Sequence, residues 1–230
     1  MSTVGFICTT HQSVKHRANG FALFNQYVES LYTNCKHSFN LYSFDNASED
    51  ECEVDNMPDN FRMTRIENQY KGGLTYTWNE GVKQAIDDGC DLVIVTSDDQ
   101  IIDVSINSFI DEIRKHELRD NAVFGPLSNN ANNANQTALA PNGKIFEVND
   151  IPLNGFCLAM TKETIMSNYY DSNNNIFSTA DEDKWGHQDQ ELQSRIKHSV
   201  VVGTCYLHHI KQGGWRDIRK DDNNGLLSYE

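Results

Sequence analysis

The sequence predicts an α/β fold: a mostly parallel, Rossmann-like central sheet flanked by helices, in a single domain. Three observations carry this. Residues 92–95 are four apolar residues in a row, rich in β-branched types, the pattern of a strand buried on both faces. That run ends abruptly in Ser97-Asp98-Asp99, which places charge where open α/β sheets bind their ligands, beyond the carboxyl end of a strand. Short apolar runs also alternate with helix-period segments along the chain, as they do in parallel sheets.

From the N-terminus, residues 3–8 read as a first strand that runs into Thr9-Thr10-His11. Residues 20–32 have helical period, with Phe21, Phe24, Val28 and Leu31 on one face. Residues 39–44 form a second strand ending at Asp45-Asn46. An acidic loop over 48–59 contains the breaker Pro58, and 61–66 is a third strand. After the tight turn Lys71-Gly72-Gly73, residues 74–88 read as a helix with Trp78, Val82, Ala85 and Ile86 inward and Gly89 just past its end. The central strand comes next, then an amphipathic helix over 106–118 and a short strand at Val123-Phe124. Residues 128–137 form a loop crowded with asparagine, by composition either disordered or a binding loop whose amides suit sugar hydroxyls. A strand over 154–160, a helix start over 161–168 and a polar loop over 171–183 come after it. A helix over 188–198 has Leu192 and Ile196 inward, and a last strand over 199–207 ends at His208-His209.

A formal net charge of −14 argues against a nucleic-acid surface, which needs clustered Lys and Arg. It also means that a phosphate ligand needs a metal or a local basic patch. The six cysteines include no C-x-x-C pair, so neither zinc nor dithiol redox chemistry is indicated, and a reduced, cytoplasmic location is expected. No signal peptide and no apolar run of membrane-spanning length are visible.

The P-loop, G-x-G-x-x-G, H-E-x-x-H and G-x-S-x-G motifs are all absent. What remains is a set of polar strand ends: Thr9-Thr10, Asp45, Asp98-Asp99 and His208-His209. Adjacent carboxylates repel unless a cation or donor sits between them, so Asp98 and Asp99 either open a solvated loop or face a hard divalent ion. Asp189, at the start of a helix, either complements the helix dipole or belongs to the same site.

The order of these motifs resembles the family 2 glycosyltransferases of the GT-A fold, from about Ser2 to Gly214. Thr9-Thr10 and Asp45 match that family's nucleotide-binding positions. Lys71-Gly72-Gly73 with Trp78-Asn79-Glu80-Gly81 resembles its N-x-G turn and W-N-x-G helix. Ser97-Asp98-Asp99 stands at the DXD position, so the motif is DXD-like. Gly125-Pro126-Leu127-Ser128-Asn129-Asn130 resembles a loop of some members, and Asn154-Gly155-Phe156 the acceptor-side strand. Trp185-Gly186-His187-Gln188-Asp189-Gln190-Glu191-Leu192 with Arg195 resembles E-D-x-D-L-x-x-R, and His209 or His208 matches a late metal-binding histidine. Two positions depart from the pattern: Ser97 opens the DXD triplet, and Gln188 replaces the Glu of the E-D pair.

The resemblance implies a GT-A domain over residues 1–220. A nucleotide-sugar-binding half occupies about 1–100, an acceptor and catalytic half about 101–220, and a flexible tail 221–230. It implies a hexosyltransferase-like enzyme that moves a sugar from a nucleotide diphospho-sugar, a UDP-sugar first among candidates, to a hydroxyl of a glycan or glycoconjugate with inversion. Asp189 is then the base. Thr9, Thr10, His11, Asp45, Lys71, Gly72, Asn79, Ser97 and Asp98 contact the donor, and Asn129, Asn154, Gly155, Trp185 and His187 the acceptor. Asp99 with His208 or His209 holds Mn²⁺ or Mg²⁺, and Lys211, Trp215 and Arg216 form a lid over the diphosphate. The alternatives are a sugar nucleotidyltransferase, whose Gly-rich basic loop is not found after Thr10, and a non-catalytic glycosyltransferase-like carbohydrate-binding protein, which Ser97 and Gln188 keep open.

Overall fold

The structure is a computed structural model, and it describes residues 2–13, 18–50, 52, 54, 61, 63–66, 73–131, 133–148, 151–179 and 188–210. The strands are β1 (Val4–Thr10), β2 (Phe39–Asn46), β3 (Met63–Ile66), β4 (Leu92–Ser97), β5 (Gln100–Ile101), β6 (Ala122–Ser128), β7 (Ile145–Glu147), β8 (Cys157–Thr161) and β9 (His198–His209). The helices are α1 (Gly20–Asn34), α2 (Gly73–Asp87), α3 (Ile106–Lys115), α4 (Lys162–Ser167) and α5 (Gln188–Arg195).

They build one mixed sheet in the order β3-β2-β1-β4-β8-β6-β9-β5, with β7 also paired to β9. β1, β2, β3 and β4 are parallel, as are β6 and β9, while β8 runs antiparallel to both of its neighbours, β4 and β6. Most of the parallel expectation therefore holds. The reversal of β8 and the short strands β5 and β7 carry no period that could be read from sequence. Two- and three-residue strands are too short to alternate visibly.

Both faces of the sheet are covered. Leu92 and Ile94 of β4 pack with Phe24, Tyr27 and Leu31 of α1 and Phe109 and Ile113 of α3. Val93 and Val95 pack on the other face with Trp78 and Val82 of α2, Leu192 of α5 and Ile196 just past its end. This explains the unbroken apolar run at the centre of the chain: each successive side chain enters a different core.

An irregularity in β9 sets where its last residues lie. Val202 pairs with Pro126 but Tyr206 pairs with Leu127, so residues 203–205 bulge out of the strand. Beyond the bulge the strand turns to pair with β5, bringing His209 opposite Gln100. Gly203 is required here, because a Cβ would lie 2.6 Å from the Lys144 carbonyl oxygen.

Candidate functional site

The carboxyl ends of β1, β2, β4, β6 and β9, the start of β8 and the first turn of α5 all reach the same edge of the sheet. Most of the polar strand ends expected from sequence therefore meet there.

At the end of β4, Asp99 faces His209: the ring Nε2 is 3.1 Å from the carboxylate Oδ1, with side chains 15% and 11% exposed. The other ring nitrogen, Nδ1, lies 3.0 Å from the Asn130 carbonyl, which can only accept. Nδ1 thus carries a proton, and Nε2 directs either a lone pair or a second proton at Asp99. Ser97 donates to Asp99 Oδ1 at 2.7 Å and receives from Gln100 Nε2 at 2.8 Å, while the Asp99 carbonyl accepts from Ile210 N at 2.8 Å. Gln100 is fully buried and also donates to the Phe156 carbonyl. The Phe156 ring stacks on His209 at 5.5 Å. Ser97 therefore organises Asp99 through its hydroxyl. Asp98 is buried beside it, at 3% exposure.

His208 does not share this position. It points to the opposite face of β9 and is exposed, because successive residues of a strand alternate. Of the two histidines, His209 alone meets Asp99.

At the ends of β1 and β2, Thr9, Thr10, His11, Asp45 and Asn46 are all buried. Thr9 shares a hydrogen bond with Thr77 of α2 at 2.7 Å, and His11 Nδ1 lies 2.8 Å from the Asn46 carbonyl. Asp45 is held by the Ser48 hydroxyl and amide and lies 3.5 Å from Arg65. Burial, followed by the nearby charges of Asp45 and Asp98, pushes the Cys52 thiol up to about 12, so both carboxylates act on one volume. The Thr10 hydroxyl and both polar atoms of the Asn46 carboxamide are buried and have no hydrogen-bond partner among the described residues. Groups of this kind are costly when left unmatched. Sequence reasoning misses Asn46, since a neutral amide beside the charged Asp45 carries no signal of its own.

Beyond the start of β8, Asp189 lies in the first turn of α5 and accepts from Gln190 N at 2.9 Å. Its Oδ2 lies only 2.8 Å from where a Cβ of residue 155 would be, so Gly155 leaves room for the carboxylate. Two buried amides hold the strap that contains Gly155. Gln193 pairs with both the N–H and the carbonyl of Leu153, at 2.6 and 2.8 Å, and donates to the Asp189 carbonyl at 3.0 Å. Gln136 accepts from Asn154 N at 2.7 Å. Asn154 itself turns back to its own segment, its Oδ1 3.4 Å from Phe156 N. The sequence signal for Gln193 is a polar residue one turn beyond Asp189, adjacent to the inward Leu192.

Two further candidate residues have their amides bonded within the fold. Asn79 lies on α2 and is buried. Its carboxamide binds the Ile176 and Phe177 amides at 3.0 and 2.9 Å and the Phe177 carbonyl at 3.1 Å, tying α2 to that segment. Asn129 is bonded to the backbone of His209 at both ends of its amide, at 2.8 and 3.1 Å. Lys71, Gly72, Trp185, His187, Lys211, Trp215 and Arg216 lie outside the described residues, as does the tail 221–230. Among the described residues no group of three or more His, Cys, Asp or Glu is placed to hold a metal by itself, and no helix is long and apolar enough to cross a membrane.

No protein-family description and no curated protein sequence matches the chain. Solved structures do. S. aureus TarS 1-349 in complex with UDP is similar at a TM-score of 0.59 and 16% identity, over 90% of this chain and 60% of that one. GalNAc-T7 with UDP, GalNAc and Mn²⁺ is similar at 0.64 and 14%, over 91% of this chain and 44% of that one. TarS 1-349 with UDP-GlcNAc is similar at 0.57 and 14%, over 92% and 61%. The chain thus spans 44–61% of the length of these chains. At such identity the likeness concerns architecture, and it establishes that this chain has the GT-A fold.

Proposed function

We propose that the chain is a glycosyltransferase that moves a sugar from a nucleotide diphospho-sugar to a hydroxyl acceptor in one inverting, in-line displacement. The observation that carries this reading is the Asp99–His209 pair, set on the same sheet edge as Asp189.

The pair fits a hard divalent cation. A carboxylate oxygen and a ring nitrogen 3.1 Å apart, with the other ring nitrogen given to a carbonyl, is the arrangement in which metal-ligating histidines are oriented. Two protein ligands leave positions for diphosphate oxygens, as Mg²⁺ and Mn²⁺ sites for phosphates require. Such an ion, when bound, supplies positive charge to a leaving diphosphate. In a protein of charge −14 that also makes anion binding tolerable.

The chain's own residues do the rest. Thr9, Thr10, His11, Asp45 and Asn46 line the nucleoside end, with Asp98 between them and the Asp99–His209 pair. Asp189, with Gly155 beneath it, takes the proton of the acceptor hydroxyl as that oxygen bonds to the anomeric carbon. The bond from that carbon to the diphosphate breaks, and its electron pair leaves on the terminal phosphate oxygen. One base suffices, so no covalent intermediate is needed.

TarS and GalNAc-T7 were solved with UDP, which makes UDP-sugars the first donors to test. A thermal-shift panel of UDP-, GDP- and dTDP-sugars with and without Mn²⁺ should show one donor that raises Tm only with the ion, because a ligand bound to the native state stabilises it by mass action. Release of nucleoside diphosphate with an acceptor then identifies transfer. Release of pyrophosphate instead would indicate a nucleotidyltransferase, and stabilisation by glycans alone a binding protein.

A further inference from the structure

We propose that Asn129 is a positioning residue for the cation pair: it extends the sheet by one side chain and so holds His209 in place. This rests on the reading of Asp99 and His209 as ligands. β6 ends at Ser128, which pairs with Leu207, so His209 lies beyond the last residue of β6. On its other side, among the described residues, His209 has only the two-residue strand β5. A strand end with so little pairing frays.

The next residue of the chain supplies what the strand lacks. Asn129 Oδ1 accepts from His209 N at 2.8 Å, and Nδ2 donates to the His209 carbonyl at 3.1 Å. One carboxamide thereby satisfies both backbone groups of the proposed ligand, as a strand residue would. Ser128 fixes the amide in turn by donating to the same Oδ1 at 3.2 Å. With the backbone held, the Asn130 carbonyl, one residue further along the same turn, meets His209 Nδ1 at 3.0 Å. That leaves Nε2 as the ring nitrogen turned to Asp99. Three consecutive residues of the asparagine-rich loop thus set the backbone, the ring rotation and the tautomer of one side chain.

The test uses Mn²⁺ with UDP as the probe and needs no turnover. The affinity for Mn²⁺ is read from the free-ion electron paramagnetic resonance signal. Direct ligation by imidazole is read from ¹⁴N modulation of the bound ion. The native protein should show that modulation, and His209→Ala should lack it. Asn129→Ala should bind Mn²⁺ 10- to 100-fold more weakly, the usual effect of removing a group that orients a ligand, and should lose most of the modulation. Asn129→Ser, whose single hydroxyl can meet the His209 amide or its carbonyl but not both as the carboxamide does, should fall between, and it serves if the alanine variant does not fold. Wild-type affinity and modulation in a folded Asn129 variant would overturn the proposal while leaving the pair intact. Mn²⁺ bound by the native protein without ¹⁴N modulation would overturn the ligand reading and the proposal with it.

Discussion

Among single residues, Asp189 and Gly155 separate the chemistry of the proposed base from its position. Asp189→Asn should keep donor affinity and lose transfer by about 10²–10⁴-fold, the usual contribution of a general base. Gly155→Ala leaves the carboxyl group chemically intact but moves it. The new methyl would lie 2.8 Å from Oδ2 and 3.3 Å from the Asp189 Cβ, so the short side chain must swing away. Little stability should be lost, since the atom displaced is the end of a side chain, whereas kcat should fall roughly 10²-fold for a misplacement on the order of 1 Å. Calorimetry and steady-state kinetics on both variants check this. Equal kcat for Gly155→Ala and the native protein would show that the carboxylate position is immaterial.

Elements are more legible in the sequence than the contacts between them. The helix period of α1, α2 and α3 and the apolar run of β4 are local signals, and the structure has these elements within a few residues of the expected bounds. The DXD-like stretch and Asp189 stand out because charge at a strand end or helix start is itself unusual. Asn79, Asn129 and Gln193 cannot be interpreted in the same way, because an amide looks alike whether it meets a sugar or a backbone. Which of these it does depends on segments that come together only in the folded chain. Asn79 reaches residues 176 and 177, far along the sequence, and Trp78 beside it packs on Phe177 with ring centres 5.0 Å apart. Asn79→Ala would leave two amides and a carbonyl without partners. It should cost roughly 2–4 kcal/mol in urea denaturation, as buried unsatisfied groups do. A loss under ~0.5 kcal/mol would mean that water replaces the amide.

For the whole molecule, the six cysteines are thiols outside any disulfide, and burial shifts several of them upward. Burial raises Cys35, Cys90 and Cys157, and it takes Cys52 and Cys205 from 9.0 to about 12. Folded thiols therefore keep their protons to higher pH than unfolded ones. The stability this confers is complete below about pH 9, the unfolded value, and is lost as pH rises toward the folded values near 12. The urea midpoint should be flat from about pH 6 to 8 and decline above about 9. Serine at Cys157 and Cys205 should flatten the alkaline decline, and an unchanged alkaline limb in that variant would assign it to tyrosines instead. At pH 8 a thiol reagent should react with Cys157 and Cys205 only as fast as the protein opens.

The reversed strand β8 has a consequence for how the chain reaches its native state. β4 completes the first half of the sheet, yet its outer edge stays unpaired until β8 arrives, with Val95 meeting Leu158 and Leu92 meeting Thr161. β6 in turn waits for β9, Val123 meeting Ser199. Pairings this distant in sequence delay folding, because loop-closure entropy is lost before the contacts that offset it form. During synthesis a largely apolar strand with an open edge is therefore exposed for the time taken to make more than sixty residues, and such an edge is a template for association. Residues 1–100 expressed alone should be insoluble or molten, and the intact chain should refold in milliseconds to seconds or more slowly, with yield falling as concentration rises. A soluble, cooperatively unfolding 1–100 fragment would show that residues 1–100 are an autonomous folding unit and that β8 docks onto a sheet already formed.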